Sequence, residues 1–291
     1  MYDDAESFLS TGMVKVLNAF GVPENTIKQL QFESFKKRKK AAPSGSTTVP
    51  RVGNDTTQHL ILPKTFYRLI QDEDDIWSKI AQEYLLSRSI DIDDYKFYLS
   101  KGTNKQDRKW DKRLIIPIYR NNQLVFFQGR DLTDTLDPKY LSTESVSKGS
   151  ILYGFDRLFT DVDQPLFVVE GFFDAIHIEG VAVFGNEMTQ QQILYLNSSP
   201  RKKVVIPDRT GDGGLLAMQG LNQGWSVSVL PFNECKDVND AIVRYGKLFV
   251  IKTLIDNIVS GFEATVRVDL LCEKGIKLKK FKNKVTNVKN K

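Results

Sequence analysis

Leu166-Phe167-Val168-Val169-Glu170-Gly171-Phe172-Phe173-Asp174 is the stretch whose reading decides the fold. Its apolar opening has the length and the β-branched, aromatic character of a buried strand. The strand ends on a carboxylate, a Gly turn follows, and a second carboxylate stands one helical turn later. The device recurs in Lys203-Val204-Val205-Ile206-Pro207-Asp208-Arg209-Thr210-Gly211-Asp212-Gly213-Gly214: an apolar strand, an Asp at its tip, a Gly-rich turn and a helix start. In an open parallel sheet such tips share one crevice. Carboxylates gathered there repel one another unless a hard divalent cation with oxygen ligands neutralises them. Either acidic turn alone can be read as a helix cap. Two on consecutive strand ends favour a shared site.

Glu170, Gly171 and Asp174 followed by Asp208 resemble the signature of the Toprim domain, Glu-Gly-x-x-Asp and a later Asp-x-Asp, found in bacterial-type primases, topoisomerases and some nucleases. Thr210 departs from it, standing where the second Asp is expected, and Asp212 is the available substitute. A further acidic turn of the family is matched by Asp237 with Asn239 or Asp240, residues that can also cap a helix.

With 291 residues and 41% hydrophobic content, the chain has room for two modest domains with packed cores. The net charge of +5 is unevenly spread. The Lys36–Lys40 run carries about +5 and the end from Glu273 to Lys291 about +7, so the remainder is acidic. Any nucleic-acid surface must therefore be built from local patches. Cys235, Cys272, His59 and His177 are the only cysteines and histidines, and they form no paired zinc frame, so no zinc is expected and the thiols read as reduced. The acidic start, Met1-Tyr2-Asp3-Asp4-Ala5-Glu6, and the lack of a membrane-length apolar run point to a cytoplasmic protein with no membrane partner.

Residues 1–33 read as a helical segment broken at Gly21-Val22-Pro23, and 34–58, with Ala41-Ala42-Pro43-Ser44-Gly45-Ser46, as a linker. From Leu62 to Leu86 the apolar positions recur helically, Phe66, Leu69 and Ile70 among them. Ala81 to Ile90 resembles the Tyr-Leu-x-x-Arg-Gly-Ile helix that opens the core of bacterial and phage primases. In the basic loop Lys101–Arg113, Trp110 either stacks on bases or closes onto the core.

Arg113-Leu114-Ile115-Ile116-Pro117-Ile118-Tyr119-Arg120 and Gln123-Leu124-Val125-Phe126-Phe127-Gln128-Gly129-Arg130 form a hairpin around Asn121-Asn122. Pro138-Lys139-Tyr140-Leu141-Ser142, Lys148 and Leu152-Tyr153-Gly154 follow. This ordered set resembles the primase core, whereas Toprim topoisomerases and nucleases lack such a subdomain. Arg113, Arg130, Lys139 and Lys148 are cations spaced before the acidic crevice. Guanidinium can grip phosphate bidentately, and ammonium supplies a mobile point charge. Taken singly, each is as well explained by an ion pair such as Arg130 with Asp131 or Asp134. Thr189 with Gln192 reads as a capping box, a structural role, and 247–259 reads as helix.

The fold expected is α/β: a Toprim domain at 165–260, a mostly parallel sheet flanked by helices, preceded by a mixed α+β primase N-terminal subdomain at 59–164. A basic, structureless tail is expected at 261–291. The resemblance implies a DNA primase of a phage-infected bacterial cell, making short RNA primers on single-stranded DNA from nucleoside triphosphates. Glu170 and Asp208 would be catalytic. Asp174, Asp208, Asp212 and Asp237 would hold Mg2+ or Mn2+, and Arg113, Arg130, Lys139 and Lys148 would contact nucleotide or DNA. No Gly-x-x-x-x-Gly-Lys-Ser/Thr loop occurs, so a replicative helicase is expected on a separate chain, as is a zinc-ribbon protein if one is used. The alternatives are a non-catalytic Toprim subunit that binds single-stranded DNA and a Toprim nuclease.

Overall fold

The structure is a computed structural model and describes residues 23, 24, 26, 60–71, 74–101, 105–160, 163–209 and 214–271. The expectations for 34–58, for most of 1–33, for Thr210 and Asp212 and for the Lys-rich end after Lys274 lie outside these residues. The chain divides into two compact units, 1–56 and 57–291, and the elements below belong to the second.

Its first sheet is antiparallel and follows chain order, from β1 (Phe66–Arg68) through β2 (Tyr98–Ser100), β3 (Arg113–Arg120) and β4 (Gln123–Asp131) to β5 (Tyr140–Ser142). The long β3–β4 hairpin turns at Asn121 and Asn122, both in the left-handed region with φ of 49° and 60°. That is the type I′ geometry matching strand twist, and Asn enters it more readily than most residues.

Helix α1 (Ile76–Leu86) lies between β1 and β2. The helical reading from Leu62 holds only for its second half. Phe66–Arg68 pairs with Tyr98–Ser100 instead, and α1 starts where the Asp75 carboxylate accepts the Ser78 N–H at 3.1 Å. Phe66 and Leu69 are both buried but join different clusters, so their helical spacing was coincidental. Trp110 is 3% exposed and packs on Phe66 and Phe127, which resolves its two readings in favour of the core.

The second sheet has the order β10-β9-β8-β6-β7. Strands β6 (Leu166–Val169), β7 (Val181–Ala182), β8 (Lys203–Val205) and β9 (Ser226–Ser228) are parallel, and β10 (Ile258–Val259) closes the edge antiparallel to β9. The helices are α2 (Phe172–His177), α3 (Gln190–Ser198), α4 (Gly214–Asn222), α5 (Val238–Tyr245) and α6 (Lys247–Asp256). The expected helix 247–259 stops at Asp256, because Ile258 and Val259 complete the sheet edge. Thr189 and Gln192 form the expected capping box on α3.

The structureless tail expected at 261–291 is not what the described part of that range shows. Residues 261–271 form α7, and Ala264, Val268 and Leu271 recur at helical spacing and are buried in the second sheet's core. One hydrophobic cluster runs between the two sheets, joining Leu114, Ile116 and Phe126 to Val169, Phe172 and Ile206. Phe172 lies edge-on to Tyr95 and Tyr153 at 5.1 and 4.8 Å between ring centroids. The start of α2 is thereby fixed against the first sheet.

Gly220 lets α4 lie directly on β8, since a Cβ there would stand 2.5 Å from Val205 Cγ2 and 3.3 Å from Trp225 Cε3. Gly220→Ala is expected to destabilise despite a helix-propensity gain of about 1 kcal/mol, because overpacking against a stiff β-branched side chain costs ~1–3 kcal/mol. The expected result is a melting temperature lower by roughly 2–4 °C, read by thermal denaturation.

Candidate active site

Strand β6 is flanked by β7 on one side and β8 on the other, so the chain's winding reverses at their carboxyl ends. That reversal opens a crevice in parallel sheets. Glu170 follows β6 directly and Asp208 stands just past the end of β8. Asp174 sits in the first turn of α2, and Asp237 is the N-cap of α5, its Oδ1 accepting the Asp240 N–H at 2.7 Å. Gly171 lets the turn close, for a Cβ would come within 3.0 Å of Asp174 Oδ2. All four carboxylates line one cleft of about 480 Å³.

Burial and then mutual repulsion raise the proton affinity of Asp174, Asp208 and Asp237. Burial first, then the charges of Asp174, Glu170 and Asp237, pushes Asp208 up to about 9, with Lys236 opposing. Burial and Asp237 push Asp174 up to about 7, against the Asn239 N–H that reaches its Oδ1 at 2.9 Å. Asp237 is also raised, again mainly by burial. A site that holds its acids this far above the ordinary carboxylate range favours a cation as their partner.

The same cleft is lined by Lys139, Tyr140 and Ser142 of the β5 region and by Lys148, Arg88 and Lys236. The structure thus brings together Glu170, Asp174, Asp208, Asp237, Lys139 and Lys148, and does not bring Arg113 or Arg130 to the wall. Arg113, 3% exposed, donates to the carbonyls of Pro138 at 2.8 Å and Gly129 at 3.3 Å. Arg130, 2% exposed, donates Nε to the Tyr84 hydroxyl at 2.9 Å and Nη2 to Asp134 at 2.7 Å. Both guanidiniums brace β4 and the segment carrying Lys139 from inside the protein.

Sequence reasoning gave no site role to Arg88 or His177, and offered Asn239 only as an alternative to Asp240 in the acidic turn after Asp237. Asn239 uses its backbone for Asp174 and its side chain for the Arg88 carbonyl at 2.8 Å, while the Arg88 guanidinium donates to Asn239 Oδ1 at 2.7 Å. His177 Nε2 lies 2.9 Å from Asn239 Nδ2, and burial pushes its pKa down, which keeps the ring neutral. The Arg88 guanidinium also lies over the rings of Tyr84 and Phe173 at 4.9 and 4.7 Å. Arg88 and Asn239 stand 151 positions apart in the chain, so the only available signal was the Arg in the helix-end motif.

Among the described residues, no three His, Cys, Asp or Glu side chains stand close enough to enclose a cation unaided. Mg2+ commonly keeps several waters and binds through one or two carboxylates plus substrate phosphates, so an open acidic cleft that also holds lysines suits it. No described helix is long and apolar enough to cross a membrane.

The fold is that of the catalytic core of bacterial primases. The RNA polymerase domain of Mycobacterium tuberculosis primase DnaG matches with a TM-score of 0.54 at 20% identity, over 67% of this chain and 81% of that one. A DnaG catalytic core matches at 0.51 and 20% identity, over 70% of this chain and 86% of that one. In sequence, the chain is 27% identical over 211 residues to the DNA primase of enterobacteria phage T4. That alignment covers 64% of this chain and 58% of the phage protein, so the chain spans rather more than half of its relative's length. No family model matches. The resemblance to a bacterial- and phage-type primase core thus holds in both sequence and fold.

Proposed function

We propose that this chain is a DNA primase core that copies single-stranded DNA into short RNA primers by nucleotidyl transfer. The relation to the phage primase and the shared fold support the reading, and the observation that carries it is a cleft lined by four carboxylates together with lysines. A primer or nucleotide 3′-hydroxyl attacks the α-phosphorus of a nucleoside triphosphate, and pyrophosphate leaves. Mg2+ or Mn2+, when bound, would offset charge on the attacking and leaving oxygens. Asp174, Asp208 and Asp237 would hold it, and the sequence offers Asp212 as a further ligand.

Lys139, Lys148 and Arg88 then bind triphosphate or template backbone, ammonium as point charge and guanidinium as fork. Glu170, at the tip of β6, serves as a ligand or proton acceptor. Asn239 keeps Asp174 in place through its N–H. Phe172 and Phe173 form the apolar floor that limits water beside the acids. We further propose that a replicative helicase is a partner of this chain.

Lys139→Ala and Lys148→Ala are each expected to weaken DNA or nucleotide binding, and a lost DNA-phosphate contact should make the salt dependence shallower by about one unit of log–log slope. Binding titrations across salt concentrations check this. The reading itself is tested by incubating end-labelled single-stranded DNA with labelled nucleoside triphosphates and each metal. Short alkali-labile product on intact DNA is expected. Shortened DNA would instead identify a nuclease, and DNA binding without product with either metal would identify a non-catalytic subunit.

A further inference from the structure

Gln128 is a neutral amide buried in the wall of the cleft, with no role in the reaction described above. It stands on β4 between Ile116 of β3 and Ser142 of β5, its register partners, and is 6% exposed. Its side chain makes no hydrogen bond to any described residue, yet it lines the same cleft as the acids and lysines. Most of the side chain is covered, and the amide atoms are open to the cleft, free to meet whatever enters it. Nothing around it explains an amide: the neighbouring positions Val125, Phe126 and Phe127 are apolar and buried.

The surroundings restrict what the amide can meet. Phosphate is served by Lys139 and Lys148, which donate only. Gln128 offers a donor and an acceptor side by side, matched to groups that carry both. Next to it on β5 stands Ser142 with a hydroxyl, and Phe184, whose ring packs on Phe126 of the same strand, is also a lining residue. An aromatic face, a hydroxyl and an amide together suit the sugar and base of a nucleotide rather than its phosphates.

We propose that Gln128 is a specificity-determining residue, whose amide hydrogen-bonds the sugar–base portion of the nucleotide bound with its phosphates against Lys139 and Lys148. The inference rests on the nucleotide-transfer reading of the same cleft. Amide recognition gives discrimination, because a nucleotide lacking the matching group leaves the buried amide without a partner.

The test is competition binding by the full chain with Mn2+, using the four ribonucleoside triphosphates, dATP and inorganic tripolyphosphate, for wild type, Gln128→Leu and Gln128→Glu. Wild type should rank the nucleotides, and Gln128→Leu should compress the ranking by roughly 3- to 10-fold, the worth of one hydrogen bond. Gln128→Glu should reorder it, since a carboxylate offers no amide donors. Compression among the bases assigns the contact to the base, and a changed ATP-to-dATP ratio assigns it to the ribose. Tripolyphosphate affinity should not move in Gln128→Leu. Unchanged ratios in both arms, or an equal loss for tripolyphosphate, would overturn the proposal and leave the nucleotide site standing. A wild type that binds no nucleoside triphosphate would overturn both.

Discussion

Asp208→Asn is expected to lose nucleotide incorporation by a factor of ~10² to 10⁴ while melting higher than wild type in metal-free buffer. The two effects share one cause. Asp208 stands where burial and three neighbouring carboxylates hold its proton on up to about 9, so near neutral pH the folded protein keeps a proton that the unfolded chain has released. That mismatch costs stability, and an isosteric amide removes it for a gain on the order of 1–3 kcal/mol, or several degrees of melting temperature. The same amide cannot supply an anionic oxygen to a cation, and the lost electrostatic stabilisation amounts to several kcal/mol of barrier. Incorporation assays and calorimetry on one preparation check both. Lower melting with lost activity would mean that Asp208 is a structural residue.

Metal-free wild type should lose stability as pH rises from about 4 to about 9, and divalent cation should restore more of it the higher the pH. Above pH 4 the unfolded chain has given up the protons of Asp174 and Asp208, whereas the folded protein holds them to about 7 and about 9 respectively. The folded state binds more protons throughout that window, so its stability falls with rising pH and levels off above the higher value. Bound cation replaces those protons, so its stabilisation must grow in the opposite direction. Melting temperatures at pH 5.5, 7 and 8.5 with and without Mn2+ test this. A cation effect that does not vary with pH would disconnect the metal from these carboxylates.

What could be read in the sequence were features written locally. The apolar run ending at Glu170, the Asn121-Asn122 hairpin and the Thr189–Gln192 capping box each need only a few adjacent residues, and each appears in the structure where it was read. Residues whose meaning depends on distant partners were not legible. Arg113 and Arg130 lie on strands buried along most of their length, so no alternation of exposed and buried positions indicated which way they point. Their partners are chiefly the carbonyls of Gly129 and Pro138 for one, and Tyr84 and Asp134 for the other. Phe66 mimicked a helical position because a three-residue strand carries too little periodicity to contradict it. Gln128 reads as an ordinary polar residue in an apolar strand until β5 places Ser142 beside it and the fold turns it toward the acids.

The central claim is that the carboxylates at the tips of β6 and β8, with Asp174 and Asp237 beside them, hold the cation that works on a nucleotide's phosphates. Electron paramagnetic resonance of free Mn2+, titrated against the protein with and without a nucleoside triphosphate, tests it most directly. Wild type should take up Mn2+, and more tightly when nucleotide is present, while an Asp174→Asn, Asp208→Asn double variant that remains folded should take up none above the nucleotide's own share. Equal uptake by the double variant and wild type would contradict the claim.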